Sequence, residues 1–180
     1  MKKRQGQVFL LFLFFIANCF MGCRTYPVSN ITPVKDFDIE RYAGKWYEIA
    51  RMDFMFERNM SNVTAEYTMN EDGTVKVVNR GYNYIQHKWK KAEGKAKQKG
   101  NAEEGALKVS FFGPIYNDYI VLALDESYTY ALVGGKNYDY LWILSRTSSI
   151  PESIKKHYIA MAKSLGYPTE YLIWTVHNTK

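Results

Sequence analysis

Nucleophiles, general bases and metal ligands are sparse in this sequence. Its three histidines are His87, His157 and His177. Their spacing makes no His-x₃-His or Cys–His pair of the kind that holds a metal. They fall in a turn, on a helix and near the C-terminus. No Gly-x-Ser-x-Gly elbow occurs, and Ser110 and Ser145 sit in strand-like runs with no base beside them. Glu48 and Asp125 are the one carboxylate pair worth weighing. The chemistry open to such a chain is binding rather than turnover. No enzyme activity, metal or cofactor is expected.

The candidate binding chemistry is apolar. Residues 44–57 read GKWYEIARMDFMFE. Met52, Phe54, Met55 and Phe56 crowd just past a strand-like run, where connections are usually polar. Side chains of this kind fit the border of an apolar pocket, and Met adds an adaptable surface.

The N-terminus reads as a targeting segment. Lys2, Lys3 and Arg4 precede the apolar run VFLLFLFFIA at 8–17, which is too short to span a bilayer and fits a secretory signal better than an anchor helix. Gly22-Cys23 has the form of a bacterial lipoprotein cleavage site, with Cys23 as the lipid-bearing residue, although Phe20 and Met21 depart from the usual pattern. Arg24, where an Asp would favour retention at the inner membrane, points to the outer membrane. Cleavage would leave 158 of the 180 residues and Cys23 as the one cysteine. No intrachain disulfide is then possible, so the fold must rest on its own core. Removing three cations lowers the formal charge from +6 to +3. That mild excess gives no reason to expect nucleic acid and could modestly favour an anionic head group.

The elements that must position the pocket are strands. Residues 24–35 contain two prolines and read as a tether, and 37–44 as one short helical turn. Apolar period-two runs follow at 45–51, 62–69, 74–80, 88–97, 106–112, 118–124, 129–134 and 139–146. Turn material separates them: Asn70-Glu71-Asp72-Gly73, Gly100 to Gly105, Gly113-Pro114 and Gly134-Gly135. Eight strands at about ten-residue spacing predict an antiparallel sandwich or barrel. One helix follows, capped by Ser148 or Ser149 and ended by Gly166. Its stripe of Ile154, Tyr158, Met161 and Leu165 should lie against the barrel wall, and 171–176 should return to the sheet.

Gly44-Lys45-Trp46-Tyr47-Glu48 resembles the G-x-W-Y motif on the first strand of lipocalins. Leu141 to Arg146, followed by a helix, resembles their last barrel strand with its Arg. Leu124-Asp125-Glu126-Ser127-Tyr128 approximates the middle motif. GYN at 81–83, EGKA at 93–96, ALKVSFFGP at 106–114 and DYLWILSR at 139–146 resemble the bacterial outer-membrane lipoprotein lipocalins, with apolipoprotein D more distant. The likeness covers residues 36–177. It implies an all-β fold: an eight-stranded antiparallel up-and-down barrel with one C-terminal α-helix outside. It further implies a lipoprotein signal at 1–22, a lipidated tether at 23–35, a lipocalin domain at 36–177 and a tail at 178–180. Gly44, Trp46 and Arg146 become structural, with the Arg146 guanidinium over the Trp46 indole closing the barrel's base. The same resemblance makes Glu48 and Asp125 structural, near that closed end.

An eight-stranded barrel is wide enough for one small ligand, and alternation assigns its lining. Lys91, Glu93, Lys95 and Lys97 must face water, so Ala92, Gly94 and Ala96 face in and leave room. By the same logic Leu107, Val109 and Phe111 face in, as do Val75, Val77 and Asn79, then Ala65 and Tyr67. Trp142 shares a face with Tyr140 and Leu144. Tyr67 and Asn79 are the polar exceptions, bonded to each other, to water, or to a ligand's head group. Tyr82, Tyr116 and Tyr140 should ring the mouth, with Met52, Phe54, Met55 and Phe56 as a lid. The expected ligand-binding residues are thus Phe54, Phe56, Ala65, Tyr67, Val77, Asn79, Val109, Phe111, Tyr140 and Trp142.

Burying a 16-carbon acyl chain from water is worth about 12 kcal/mol before association costs. The same chain taken from a bilayer gains little, which suits reversible exchange. The resemblance implies storage or transport of a lysophospholipid or fatty acid. It places the chain at the outer membrane, held through Cys23 on the periplasmic face, with a homodimer as a possible assembly. Two alternatives stay open: a different apolar ligand such as a retinoid or pigment, and an envelope interaction protein whose barrel is filled.

Overall fold

The computed structural model describes residues 31–178; the expected signal segment, the lipidated Cys23, most of the tether, and residues 179–180 lie outside them. Asp38 caps a single helical turn, α1 (Ile39–Tyr42), its carboxylate accepting from the backbone of Glu40 and Arg41. The chain then enters β1 (Gly44–Arg51). Seven further barrel strands follow: β2 (Met60–Met69), β3 (Val75–Asn83), β4 (Lys88–Gln98), β5 (Ala106–Phe112), β6 (Ile115–Leu124), β7 (Tyr130–Gly134) and β8 (Leu141–Ser145). Each pairs antiparallel with its neighbour in sequence. β1 closes the ring by pairing with β8 on one side and with β2 on the other, where Gly44 lies opposite Tyr67. The expected eight-stranded antiparallel barrel is therefore the fold. Closure satisfies the edges that an open sheet would leave bare.

The pairing is uneven around the ring. β4 pairs with β3 along its length, from Val75 opposite Ala96 to Asn83 opposite Lys88. It meets β5 only at Lys95–Gln98. The first half of β4 therefore leans away from β5.

Helix α2 (Glu152–Ser164) packs outside, as the apolar stripe requires. Tyr158 and Ala162 are buried against Ile49, Leu132 and Ile143, with Ile154, Met161 and Leu165 beside them. The Tyr158 hydroxyl donates to the Tyr130 carbonyl at 3.0 Å. Neither Ser148 nor Ser149 caps the helix: Pro151 holds the cap position without a side-chain bond. The Ser149 carbonyl instead accepts from Ser145 and Thr147 hydroxyls. Gly166 ends the helix at φ +90°, and the Gly166 and Tyr167 amides donate back to Lys163 and Ala162 carbonyls, the usual glycine stop. A short β9 (Ile173–Trp174) then pairs with Ala50 and Arg51 of β1. Two cores result, one between the barrel and α2 and one inside the barrel around Trp46, Tyr67, Val77 and Val109.

Candidate ligand-binding site

α1 and the start of β1 close one end of the barrel. Trp46 is wholly buried, its indole N–H donating to the Tyr42 carbonyl at 2.8 Å. The Arg146 guanidinium lies 3.9 Å over the Trp46 ring. It also donates to the carbonyls of Arg41, Tyr42, Lys45 and Tyr128 at 2.9–3.1 Å. Arg146 thus ties together the C-terminal end of α1, the start of β1 and the connection after β6. Gly44 is required here: its φ is +94°, and a Cβ would come within 3.4 Å of the Arg146 guanidinium.

Above this plug three hydroxyls form a row. Tyr42 and Tyr67 each bond the Tyr119 hydroxyl, at 2.7 and 2.9 Å. Burial pushes all three phenols up, Tyr67 to about 12, so they stay neutral and hydrogen-bonded. Tyr67 and Tyr119 form the floor of a cavity of about 130 Å³, roughly ten times the space one ordered water needs. Its wall is mostly apolar: Phe54, Val63, Ala65, Val77, Val109, Phe111, Tyr140, Trp142 and Leu144. At the upper end the ring of Phe54 lies 5.2 Å from Tyr140, 5.3 Å from Phe56 and 6.5 Å from Trp142.

Besides the side chains of Thr64 and Asn117, the polar groups of the wall are few. Asn79 carries a buried amide oxygen with no hydrogen-bond partner among the described residues. Glu57 accepts the Trp142 indole N–H at 3.0 Å. Loss of hydration, then the neighbouring Glu48 charge, push its carboxyl up to about 8, against the Trp142 bond and Arg51. Glu57 is therefore mostly protonated at neutral pH, and its O–H can donate. Glu48 is buried in an ion pair with Arg51 at 2.8 Å and also accepts the Thr175 hydroxyl. Burial pushes its carboxyl up against the pull of Arg51. Asp118 completes the acidic groups, tied to Lys99 and Lys108 at 3.0 and 2.8 Å. Among the described residues no Lys or Arg lines the cavity.

The Lipocalin-like domain matches residues 37–177. The chain belongs to the lipocalin family. It is 47% identical to the outer membrane lipoprotein Blc of Vibrio cholerae, across 91% of this chain and 96% of that protein. Against Blc of Escherichia coli K12 the identity is 48%, across 82% and 84%. Rat apolipoprotein D is 34% identical across 72% of this chain and 68% of that protein. Among solved structures, insecticyanin from the tobacco hornworm superposes with a TM-score of 0.71 at 21% identity, covering 85% of this chain and 88% of that one. That last likeness concerns the fold alone.

Of the residues expected to bind this lipocalin's ligand, Phe54, Ala65, Tyr67, Val77, Asn79, Val109, Phe111, Tyr140 and Trp142 line the cavity. Phe56 does not. It is 57% exposed and reaches across the mouth to Phe112 at 5.5 Å. Met52 is buried in the core under α2 and takes no part in the lid, while Met55 projects outward. Tyr82 packs on its cross-strand partner Trp89 on the outer face, and the Tyr116 ring receives the Lys97 ammonium at 4.6 Å; neither lines the cavity. Asn79 and Tyr67 do not bond each other.

The small residues of β4 behave differently from expectation. Ala96 is buried, but Ala92 is exposed because β4 has left β5 at that point. The room beside Gly94 is taken by Phe111: a Cβ there would sit 2.8 Å from that ring. Nor do Glu48 and Asp125 form a pair. Asp125 accepts from the Thr129 and Tyr130 amides at the closed end, whereas Glu48 lies on the cavity wall, beside a register shift in β1. His177 bonds the Glu48 carbonyl at 2.7 Å. Glu57 and Tyr119 escaped alternation. Glu57 sits in a single 3-10 turn (Met55–Glu57) with no period to read, and the faces of β6 depend on irregular pairing around Val121–Ala123.

Proposed function

We propose that this lipocalin binds and carries a single-chain lipid, a lysophospholipid in preference to a free fatty acid, at the bacterial outer membrane. The observation that carries the reading is the cavity inside the barrel: apolar walls, a sealed floor, and a few buried polar groups of acceptor character. An acyl chain gains from the walls by leaving water. The unpartnered Asn79 oxygen needs a donor, and leaving it bare costs about 1–3 kcal/mol. The glycerol hydroxyl of a lysophospholipid supplies one. An ionised fatty acid supplies none; among the described residues it meets no Lys or Arg on the wall and must rely on neutral donors, of which the Glu57 proton is one.

The kinship with Blc lipoproteins, together with Gly22-Cys23 and Arg24, supports acylation of Cys23 and residence in the outer membrane, facing the periplasm. We read the domain boundaries as a signal at 1–22, a tether at 23–35 and the barrel domain at 36–177. Homodimer formation is compatible with this reading.

Delipidated protein titrated with lysophosphatidylethanolamine should show a saturable change in tryptophan emission that is lost in Trp142→Phe. Native mass spectrometry should show one lipid per barrel. Protein that takes up no lysophospholipid overturns the reading. Tighter binding of palmitate than of the lysolipid at pH 8 overturns the preference.

A further inference from the structure

The large exposed apolar side chains are gathered at one end of the molecule. Met55 and Phe56 project from the β1–β2 connection, Ile85 from the β3–β4 connection, and Phe112 and Ile115 flank the β5–β6 turn, each 57–67% exposed, with Trp89 on the outer face near the start of β4. Tyr84 shares the hairpin, and the rest belong to the C-terminal segment around β9, which joins the same half of β1. None lies at the closed end among the described residues. The tips come from three separate connections that surround the cavity mouth, and the Phe56–Phe112 contact at 5.5 Å reaches across it.

Charge is mixed at the closed end, where Glu71, Asp72, Glu103, Glu104, Asp125 and Glu126 are set against Lys35, Arg41, Lys45, Lys99 and Arg146, with Asp72 and Glu104 in ion pairs. At the open end Asp53 is paired with Arg58 at 2.9 Å. Lys88, Lys90 and Lys136 have no ion-pair partner among the described residues, and neither do the exposed acids Asp139 and Glu170.

We propose that the open rim docks on a lipid bilayer carrying anionic head groups, with the apolar tips in the head-group boundary and the cavity mouth against the acyl chains. Aromatic and branched apolar tips next to lysines are suited to that boundary, where rings and methylenes leave water while ammonium groups meet phosphate. A second copy seated on the same rim would bring these lysines towards their own kind. The bilayer also accounts for the placement of the tips around an opening: an acyl chain could pass into the barrel without crossing water. That passage rests on the ligand reading above; the docking does not.

Hydrogen exchange of the full protein on vesicles of phosphatidylethanolamine and phosphatidylglycerol tests the orientation, whether or not Cys23 is acylated. Amides at 54–57, 84–87, 112, 113 and 115 should slow by at least about fivefold, while those at 70–73 and 101–104 stay unchanged. The effect should weaken when phosphatidylglycerol is omitted. Open-end amides indifferent to vesicles, or protection of the closed end instead, overturn the proposal. So does concentration-dependent protection of the rim without vesicles, which would make a second copy the occupant. The triple variant Ile85→Ser, Phe112→Ser, Ile115→Ser separates docking from ligand binding. It should load lysophospholipid from vesicles about tenfold more slowly than the parent, yet bind the same lipid delivered as monomers with unchanged affinity. Equal loading rates from vesicles count against docking. Failure of the parent to bind monomers counts against the ligand reading and leaves the exchange result standing.

Discussion

The two ends of the barrel are made from the same strands and use polar groups in opposite ways. At the closed end the guanidinium nitrogens of Arg146 all donate to carbonyls, the Trp46 N–H has an acceptor, and the tyrosine hydroxyls bond one another. At the open half Asn79 is left without a partner, Glu57 holds its proton in a poorly hydrated place, and phenylalanines face water. The polar bonds are complete at the closed end and incomplete in the open half; we read the first as a source of stability and the second as capacity for a ligand. This division is the expected outcome when one fold must be both rigid and receptive.

The comparison is broken most directly at the plug. Trp46→Ala removes a fully buried indole and the surface on which Arg146 rests. Large-to-small changes of this kind cost about 3–5 kcal/mol, and urea unfolding monitored by circular dichroism should show that loss. A change under about 1 kcal/mol would mean the end collapses around the gap and that the plug is not where stability resides.

The pH dependence of Glu57 tests the other end. The unfolded carboxyl ionises near its ordinary value, about 4.5, but the folded one only near 8. Between those values the native state holds a proton that the unfolded state has lost. Stability therefore falls as pH rises, by up to about 1.4 kcal/mol per pH unit from this group alone. Below the lower value the group is neutral in both states and has no effect. Glu57→Gln should remove this contribution: near neutral at pH 4, clearly more stable than the parent at pH 8. Parallel stability–pH curves for the two proteins would show that the carboxyl is hydrated after all. Palmitate binding in the parent should weaken above pH 8, as the proton that receives its carboxylate is lost.

The fold was legible from the chain for physical reasons that can be named. Turns such as Asn70-Glu71-Asp72-Gly73 punctuate runs of strict alternation, and Lys76, Arg80 and Glu66 reveal which face of β2 and β3 is wet. The stripe from Ile154 to Leu165 could only be a helix lying on a wall. Within the site, the faces of β2, β3 and β8 were readable because single strands fix them. What stayed hidden depends on how strands meet. Ala92 is exposed because β4 parts from β5, and Gly94 is covered because Phe111 leans onto it. Glu57 belongs to a turn, where no period constrains the side chain, and its partner Trp142 is 85 positions away.

The smallest expected change in stability is at Asn79, and it separates the two ends most finely. Its buried oxygen lacks a partner among the described residues, so an apolar residue of similar size relieves a desolvation cost rather than breaking a bond. Asn79→Leu should raise stability by about 1 kcal/mol, within the range for a bare buried polar group. It should also weaken lysophospholipid binding about tenfold, the equivalent of about one hydrogen bond, and leave palmitate affinity nearly unchanged. Tyr67→Phe, two residues along β2 from Ala65, which faces Asn79, gives the contrast: it takes a partner from Tyr119 and should destabilise by about 1 kcal/mol. Two substitutions on neighbouring strands of one cavity, opposite in sign, would locate the boundary between the part of the barrel built to last and the part built to bind. If Asn79→Leu instead destabilises, the amide is satisfied by ordered water, and the donor it awaits is not a lipid hydroxyl.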